Sequence, residues 1–358
     1  MNGEKKKLLI IAGAIVGIVV LTIIILLVFH AVTNKKMTYQ KVEEKVLTAA
    51  KKYYKENNKS LPELNKKVTI NDSALTAAGY LKNMSDLTSK LDATCTAEVV
   101  VTNKENKYRY TVLLNCGEKY STKTLVSKLK SKGTVTSGIG LYDLNGELVY
   151  RGENPNNYIK ISNKMYRIVK ITDDKALLIY NEKTSPVAWD DRFNTERNFY
   201  DGINDYTISR IRDHINYLNL VKDEDKDLLE LQTLYTGGRN ISDIYNDGSI
   251  EKSNIYDNQV YGLLPLYDYI NASIDNNCMS AETESCTNYN YLSKYEYNWW
   301  TITPDATNTY KVFRVDDEGA VDLVRCNAHA YTRPTIMLAA DVLYASGDGT
   351  EKNPYMVK

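Results

Sequence analysis

The sequence contains few cysteines and no excess of basic side chains, and each of these features argues against a large class of proteins. Five cysteines in 358 residues are too few for a disulfide-dense scaffold. The 45 basic and 45 acidic side chains cancel, whereas a nucleic-acid-binding protein normally has a basic excess, so we expect no nucleic-acid partner. Apolar residues make up 43% of the chain, which is enough for a core and excludes disorder along the whole chain.

Catalytic and metal-binding patterns are missing as well. There is no G-x-S-x-G, no P-loop and no H-E-x-x-H. With three histidines, no cluster with metal-ligand spacing is visible. His214 beside Asp213 is typical of a helix surface, and the acids of residues 316–318 are typical of a solvated turn. The sequence therefore predicts no catalytic residue and no metal ligand.

One long apolar run lies near the amino end. Residues 8–29 carry no charge, and about 20 apolar residues suffice to span a bilayer as a helix. A cleaved signal peptide is the alternative, but its apolar core would be about 7–15 residues followed by a small-x-small site. Here Phe29 stands at the minus-three position to Ala31. We therefore expect an uncleaved signal anchor within residues 1–34, inserted in the lipid bilayer.

The net charge of zero is the sum of two regions with opposite net charge. Residues 35–133 hold 20 basic against 10 acidic side chains, and residues 134–358 hold 22 against 34. A small, polar stretch around Gly133 favours a domain boundary there. The sequence predicts a basic stalk domain and an acidic head domain. We expect the basic domain to associate with anionic lipid or with an anionic envelope polymer.

The basic part begins with a helical pattern and then contains a clear hairpin. Apolar residues between Val42 and Tyr53 recur every three to four positions, so a helix running to about Asn57 is expected, continuous with the membrane run. Residues 95–102 and 107–116 are rich in β-formers. If opposite residue numbers sum to 211, one face of this hairpin is wholly apolar.

The same hairpin register places Cys95 opposite Cys116. Two buried free thiols on neighbouring strands are the alternative to a disulfide. A disulfide implies an oxidising compartment. Lysines 5–7 favour an inside amino terminus, although lysines also follow the run. We therefore expect a single-pass protein of the cell membrane with most of the chain extracellular.

The second part alternates strand and helix signals, so an α+β class is expected. Strands with tight turns are predicted between residues 142 and 180. A helix is predicted over 207–220, with Ile208 and Ile215 on its apolar face. Strands are predicted again between 299 and 338.

The arrangement of residues 8–120 resembles a pilin-like subunit. An apolar amino-terminal helix runs into an amphipathic helix and a small sheet follows. Pilins have a Gly-Phe or Gly-Met processing site and a glutamate in the apolar helix. Here Gly3 is followed by Glu4, and the apolar run contains no glutamate. The resemblance implies a small α+β stalk and does not extend to processing by the pilin machinery.

Sequence pieces of the second part carry a different resemblance. They are Tyr158–Ile161 with Tyr166–Val169, then Trp299–Pro304 and Arg333–Leu338. In this order, over about residues 140–345, they resemble an uncharacterised domain family of bacterial surface proteins. That family is similar in pattern to the C-type-lectin-like fold of sulfatase-modifying (formylglycine-generating) proteins. The resemblance implies a ligand-display scaffold. The expected structural core includes Trp299, Trp300, Arg333 and Pro334.

The remaining cysteines are interpreted against this resemblance. Formylglycine-generating proteins use two neighbouring cysteines near the carboxyl end, and this chain has only Cys326 there. Cys278 and Cys286 lie in a polar loop and favour a local disulfide. Cys326 is expected to be a small buried residue on a strand. Lectin-like folds often bind structural Ca²⁺, which stays open here, although Asp348 lacks the acid spacing of a calcium loop.

These observations favour a membrane-anchored cell-surface protein that displays an adhesin-like or lectin-like head. Its expected ligand is a carbohydrate or a surface protein, since aromatic and amide side chains suit sugars; the sequence assigns no ligand-binding residue. Burial of the aromatic residues in the core is the alternative. Two other functions stay open. One is a pilin-like structural subunit of an envelope or export assembly. The other is a sulfatase-modifying-like enzyme, which requires a reactive Cys326 near a metal.

Overall fold

The computed structural model describes residues 37–64, 66–104 and 107–358. These residues form two compact units that divide between Ser121 and Thr122. The fold is mixed α+β with more strands than helices, in agreement with the predicted class. Within the described ranges, no helix is long and apolar enough to cross a bilayer. The predicted span 8–29 lies outside them.

The first unit packs one long helix against a three-stranded antiparallel sheet of strand order β1-β2-β3. Its helices are α1 (Tyr39–Glu56), α2 (Asp72–Ala77) and α3 (Met84–Thr88). Its strands are β1 (Lys67–Asn71), β2 (Thr96–Lys104) and β3 (Lys107–Asn115).

Helix α1 has its own capped start. Thr38 is extended, and its side chain accepts a hydrogen bond from the backbone N–H of Lys41 at 3.3 Å, which satisfies one of the free donors of the first turn. The helix therefore begins at Tyr39, whereas the sequence suggested continuation from the membrane run. Its apolar stripe is buried as expected, except that Tyr54 lies deeper than Tyr53.

The hairpin of β2 and β3 has the predicted register. Val99 pairs with Val112 and Thr96 with Asn115, so the two residue numbers sum to 211 in each pair. This register places Val99 and Val112 on the buried face of the hairpin. Cys95 and Cys116 flank the hairpin and form a disulfide.

The second unit is built on a nine-stranded sheet. Its helices are α4 (Leu125–Lys130), α5 (Arg210–Tyr217) and α6 (Leu266–Asn271). Its strands are β4 (Gly140–Leu144), β5 (Glu147–Arg151), β6 (Tyr158–Ile161), β7 (Lys164–Thr172), β8 (Lys175–Tyr180), β9 (Val187–Ala188), β10 (Leu229–Glu230), β11 (Gln232–Tyr235), β12 (Ile255–Gln259), β13 (Trp299–Pro304), β14 (Lys311–Val315), β15 (Val321–Arg325), β16 (His329–Ala330), β17 (Thr335–Leu338), β18 (Tyr344–Ser346) and β19 (Tyr355–Val357).

The order of the large sheet is β10-β17-β8-β7-β6-β19-β18, with β5 on β7 and β4 on β5. The carboxyl-terminal strand β19 lies parallel to β6, and the other pairings are antiparallel. Strand β7 pairs with β6 through its first half and with β5 through its second half. This places Lys170 opposite Val149, close to the start of β5.

Three smaller strand groups complete the second unit. The sheet β13-β14-β15 is antiparallel, and β11-β12 and β9-β16 form two-stranded pairs. All four residues expected in the structural core, Trp299, Trp300, Arg333 and Pro334, are buried.

Helix α4 belongs to the second unit. The backbone N–H of Leu125 donates to the carbonyl of Val342, and Leu129 is fully buried in the core of this unit. The division therefore falls before α4, whereas the sequence placed it near Gly133. The small, polar residues around Gly133 follow the end of α4, and Gly133 has a φ of +79°.

The middle of the second unit differs from the predicted helix over 207–220. Ser209 is extended and caps α5, because its hydroxyl accepts from the backbone N–H of Arg212. Ile208 therefore lies outside the helix and is 48% exposed, while Ile211 and Ile215 are buried. The hydroxyl of Ser209 caps the amino end of α5, so the helix begins at Arg210, about one turn later than the apolar periodicity predicts.

Candidate functional site

A cleft of about 140 Å³ opens on the second unit. Residues of β5, β7, β8, β11 and β17 and the first turn of α6 line it. Pockets for drug-sized molecules are commonly about 300–1,000 Å³. The cleft therefore has room for one small chemical group or for one residue of a larger ligand.

A buried lysine lies in the wall of the cleft. The Lys170 ammonium donates to Glu147 Oε2 at 3.1 Å, to Asp268 Oδ1 at 3.0 Å and to the Tyr267 hydroxyl at 2.5 Å. All three of its N–H donors are thereby used. Burial by itself would lower the pKa of Lys170, but the carboxylates of Asp268 and Glu147 outweigh burial and raise it. Lys170 is therefore a fixed cation at this site.

Asp268 lies on the first turn of α6 and is 1% exposed. Its Oδ1 accepts from Lys170. Its Oδ2 has no hydrogen-bond partner among the described residues. Burial raises the pKa of Asp268 to about 6, with repulsion from Glu147 adding to the effect and Lys170 opposing it. One ammonium is shared by two carboxylates, and the more buried of the two is the harder to ionise.

Glu147 shows the opposite behaviour. Its Oε1 accepts from Lys252 at 3.2 Å, while its Oε2 accepts from Lys170. Burial acts to raise the pKa of Glu147, but the two ammonium groups outweigh it and lower the pKa. The cleft therefore combines the ionised carboxylate of Glu147 with the carboxyl group of Asp268, whose pKa is about 6. Such divergence of neighbouring acids is common at functional sites and also occurs in structural networks.

A second buried ion pair holds α6 in place. Arg239 and Glu251 are both fully buried, with Nη1 3.0 Å from Oε1. Glu251 also accepts from the backbone N–H of Tyr267 at 3.2 Å. Burial raises the pKa of Glu251, and Arg239 opposes the shift. Because Tyr267 precedes Asp268 directly, this pair fixes the residue beside the cleft carboxyl group.

The polar residues on the other wall already bond to one another. Gln232 donates from Nε2 to the carbonyls of Val260 and Thr335, and Thr335 donates from its hydroxyl to Gln232 Oε1 at 3.2 Å. Apolar groups of Leu231 and Met337 contribute to the same lining. Among the lining residues, Asp268 Oδ2 is a buried acceptor without a partner within the described ranges.

The residues singled out by the sequence lie elsewhere. None of the predicted core residues or cysteines lines this cleft. Cys278 and Cys286 form the predicted local disulfide. Cys326 is a free, fully buried cysteine, and burial raises its pKa well above the ordinary value, with Asp190 and Asp201 adding to the shift. A thiol in this environment is protonated and a poor nucleophile. Across the described ranges, no group of three or more His, Cys, Asp or Glu side chains is placed to hold a metal ion.

Sequence reasoning missed Glu147, Lys170 and Asp268 because no motif contains them. A usable signal was nevertheless present. Lys170 interrupts the apolar run 168–171, and Asp268 interrupts the apolar run 266–270. A charge within a buried segment is costly unless it is paired. Two such interruptions of opposite charge predict a buried pair, although they do not say which residues meet.

Comparisons of this chain with protein-family models, with curated proteins and with solved structures find no match. The chemistry of the cleft therefore carries the functional argument.

Proposed function

We propose that the protein is a membrane-anchored cell-surface protein whose second unit binds a ligand in the cleft of Glu147, Lys170 and Asp268. The observation that carries the proposal is the unpaired Asp268 Oδ2. A buried acceptor without a partner costs about 1–3 kcal/mol, and a ligand that donates to it recovers that cost. The protein binds its ligand without chemical conversion.

The extracellular location is supported by the two disulfides, one in each unit. Disulfides persist in oxidising compartments and are rare in the cytosol. The anchor is the predicted span of residues 8–29, with the amino terminus inside the cell. In this proposal the first unit is a pilin-like stalk and the second unit a C-type-lectin-like head.

The two alternative functions are less well supported. A sulfatase-modifying-like enzyme needs a reactive Cys326, but this thiol is buried and its pKa is raised. A structural subunit of an assembly depends on association of residues 8–29, which lie outside the described residues.

The location is tested with the full chain carrying a carboxyl-terminal epitope. We expect an antibody to label intact cells as strongly as permeabilised cells. Labelling that appears only after permeabilisation would contradict the proposal. Binding is tested with the detergent-solubilised full chain on arrays of glycans and of surface proteins. If the protein binds neither the glycan array nor the surface-protein array, the proposed ligand-binding function is wrong.

A further inference from the structure

We propose that the cleft recognises a neutral, hydroxyl-bearing group, such as one residue of a saccharide, through a hydroxyl that donates to Asp268 Oδ2. The inference rests on the proposed ligand-binding function and names the chemical class of its ligand. It is carried by the hydrogen bonds and charges around one carboxyl group.

The two oxygens of Asp268 are in different situations. Oδ1 is held by the Lys170 ammonium at 3.0 Å, and Oδ2 has no partner within the described part of the chain. An ionised carboxylate is an acceptor only. A ligand group that completes this site must therefore be a donor: a hydroxyl, an amide N–H or an ammonium.

The charges around the carboxyl group decide among these donors. A ligand ammonium on Oδ2 would lie close to the Lys170 ammonium, which is buried and already bonded to the same carboxylate. An anionic ligand would meet three lining carboxyl groups, Asp268, Glu147 and Asp173. Of the two lining ammonium groups, Lys170 is already bonded to Asp268 and Glu147, which leaves Lys175 against them. Like charges at short range in a poorly solvated site repel strongly. A neutral donor is the group that this environment accepts.

The other walls suit a hydroxylated ring. Tyr235, Leu231 and Met337 offer apolar contact, and Thr172 and Thr233 carry hydroxyl groups. A sugar ring combines apolar faces with a hydroxyl edge, and aromatic side chains commonly contact such ligands. A secondary amide also offers a neutral N–H. Its single N–H can bond to Asp268 Oδ2, but it then leaves no donor for the hydroxyl groups of Thr172 and Thr233.

The proposal implies that binding depends on pH. The charged and titratable groups facing Asp268 are Lys170 on β7, Glu147 on β5, Glu251 in the turn before β12, and its neighbour Tyr267. A hydroxyl donated to Oδ2 favours the ionised carboxyl group, so binding lowers the pKa of Asp268 from its value of about 6. Affinity should therefore be full above pH 7 and fall as the pH falls through about 6.

The experiment compares wild type with Asp268→Asn as detergent-solubilised full chains. In this variant, Asn Oδ1 can still accept from Lys170, while the amide nitrogen replaces Oδ2 and turns the acceptor into a donor. The probes are the methyl glycosides of glucose, galactose and N-acetylglucosamine, with methyl glucosaminide as a cationic comparison. We expect the neutral glycoside that binds wild type to bind the variant roughly 10- to 100-fold more weakly.

Asp201→Asn is the matched control. It also changes a buried aspartate that has one oxygen paired with a cation, here Arg197, and the other oxygen without a partner among the described residues, but residue 201 is not part of the cleft lining. We expect it to lower stability and to keep the wild-type affinity for the glycoside. If either variant fails to fold, the pH titration of glycoside binding by wild type still tests the role of a carboxyl group near pH 6.

Three results would overturn the inference. They are unchanged affinity in Asp268→Asn, stronger binding of the cationic probe than of the neutral glycosides, and no binding of any neutral glycoside to wild type at millimolar concentration. If no neutral glycoside binds, we conclude that only water donates a hydrogen bond to Asp268 Oδ2. Surface location and binding to a protein array are measured separately, so the proposed function can stand when the inference fails.

Discussion

The two units of the chain differ in the residues that they bury. The described interior of the first unit is mainly apolar, and its buried polar residues are Glu43, Thr88, Asn103 and Thr111. The second unit buries ion pairs such as Lys170–Asp268 and Arg239–Glu251. An apolar core is specified by local periodicity, whereas buried charges have to find partners from distant parts of the chain.

The contrast extends to charge along the chain. Residues 35–133 carry a net charge of +10 in the sequence, but four of their lysines, at positions 123, 128, 130 and 132, belong to the second unit. Lys130 bonds to Asp174 at 2.5 Å, and Lys132 donates to the carbonyl of Asp348 at 2.7 Å. The basic excess of residues 35–121 is therefore +6, which reduces the positive charge available for anionic lipid or polymer.

The largest expected effect concerns the boundary between the two units. A fragment of residues 134–358 lacks Leu125, Val126 and Leu129, all of which are buried. Losing the burial of three such side chains costs about 5 kcal/mol. We expect the 122–358 fragment to unfold cooperatively on heating and the 134–358 fragment to lack that transition. Equal melting temperatures in circular dichroism would place the boundary near Gly133 after all.

Breaking the buried ion pair should come next. Lys170→Met leaves two carboxyl groups without their shared cation, and removing one partner of a buried pair costs about 3–5 kcal/mol. We expect a matching drop in the free energy of unfolding in urea. The double variant Lys170→Met/Asp268→Leu should recover part of that loss, because no unpaired charge then remains at Asp268. A single variant as stable as wild type would show that the pair contributes little.

The disulfides allow each unit to be weakened separately. Cys95 and Cys116 are separated by 21 positions, and Cys278 and Cys286 by 8. In the chain-entropy description their removal costs about 3 kcal/mol for the longer loop and slightly less for the shorter one. We expect Cys95→Ala/Cys116→Ala to lower the thermal transition of the first unit and to leave that of the second. Equal lowering of both transitions would mean that the units unfold together.

The smallest expected effect is the pH dependence that Asp268 gives to the second unit. Its pKa is raised from 3.8 to about 6 in the folded chain, so the folded state binds the proton more tightly than the unfolded state does. Wild type should therefore lose on the order of 2–3 kcal/mol relative to Asp268→Asn as the pH rises from 4 to 7. Urea titrations of both proteins at several pH values measure the difference. A constant difference would show that Asp268 does not titrate in this range.

Prediction from sequence worked where a local pattern was sufficient. The alternation of apolar residues in 95–116 fixed the hairpin register and, with it, the Cys95–Cys116 disulfide. The same kind of reasoning failed at Ile208, because the hydroxyl of Ser209 caps the amino end of the helix and the helix begins only at Arg210. It also placed the domain boundary near Gly133, whereas the residues there follow a helix that packs within the second unit.

The cleft could not be predicted, because its members are far apart in the chain. Lys170 and Asp268 are 98 positions apart, and Lys252 and Glu147 are 105 apart. Each residue by itself is an ordinary charged side chain. Only strand pairing brings β5 beside the second half of β7 and so places the start of β5 near Lys170.

The sequence alone determined the α+β class, the strand register of the first unit and the two cysteine pairs, since these follow from periodicity and short spacing. The tertiary structure decided where the chain divides, which lysines belong to the acidic unit and which charges are buried together. Packing decides these features because the cost of burying a charge is offset only by an oppositely charged partner at the correct position. The position of that partner depends on tertiary structure and cannot be read from the order of residues along the chain.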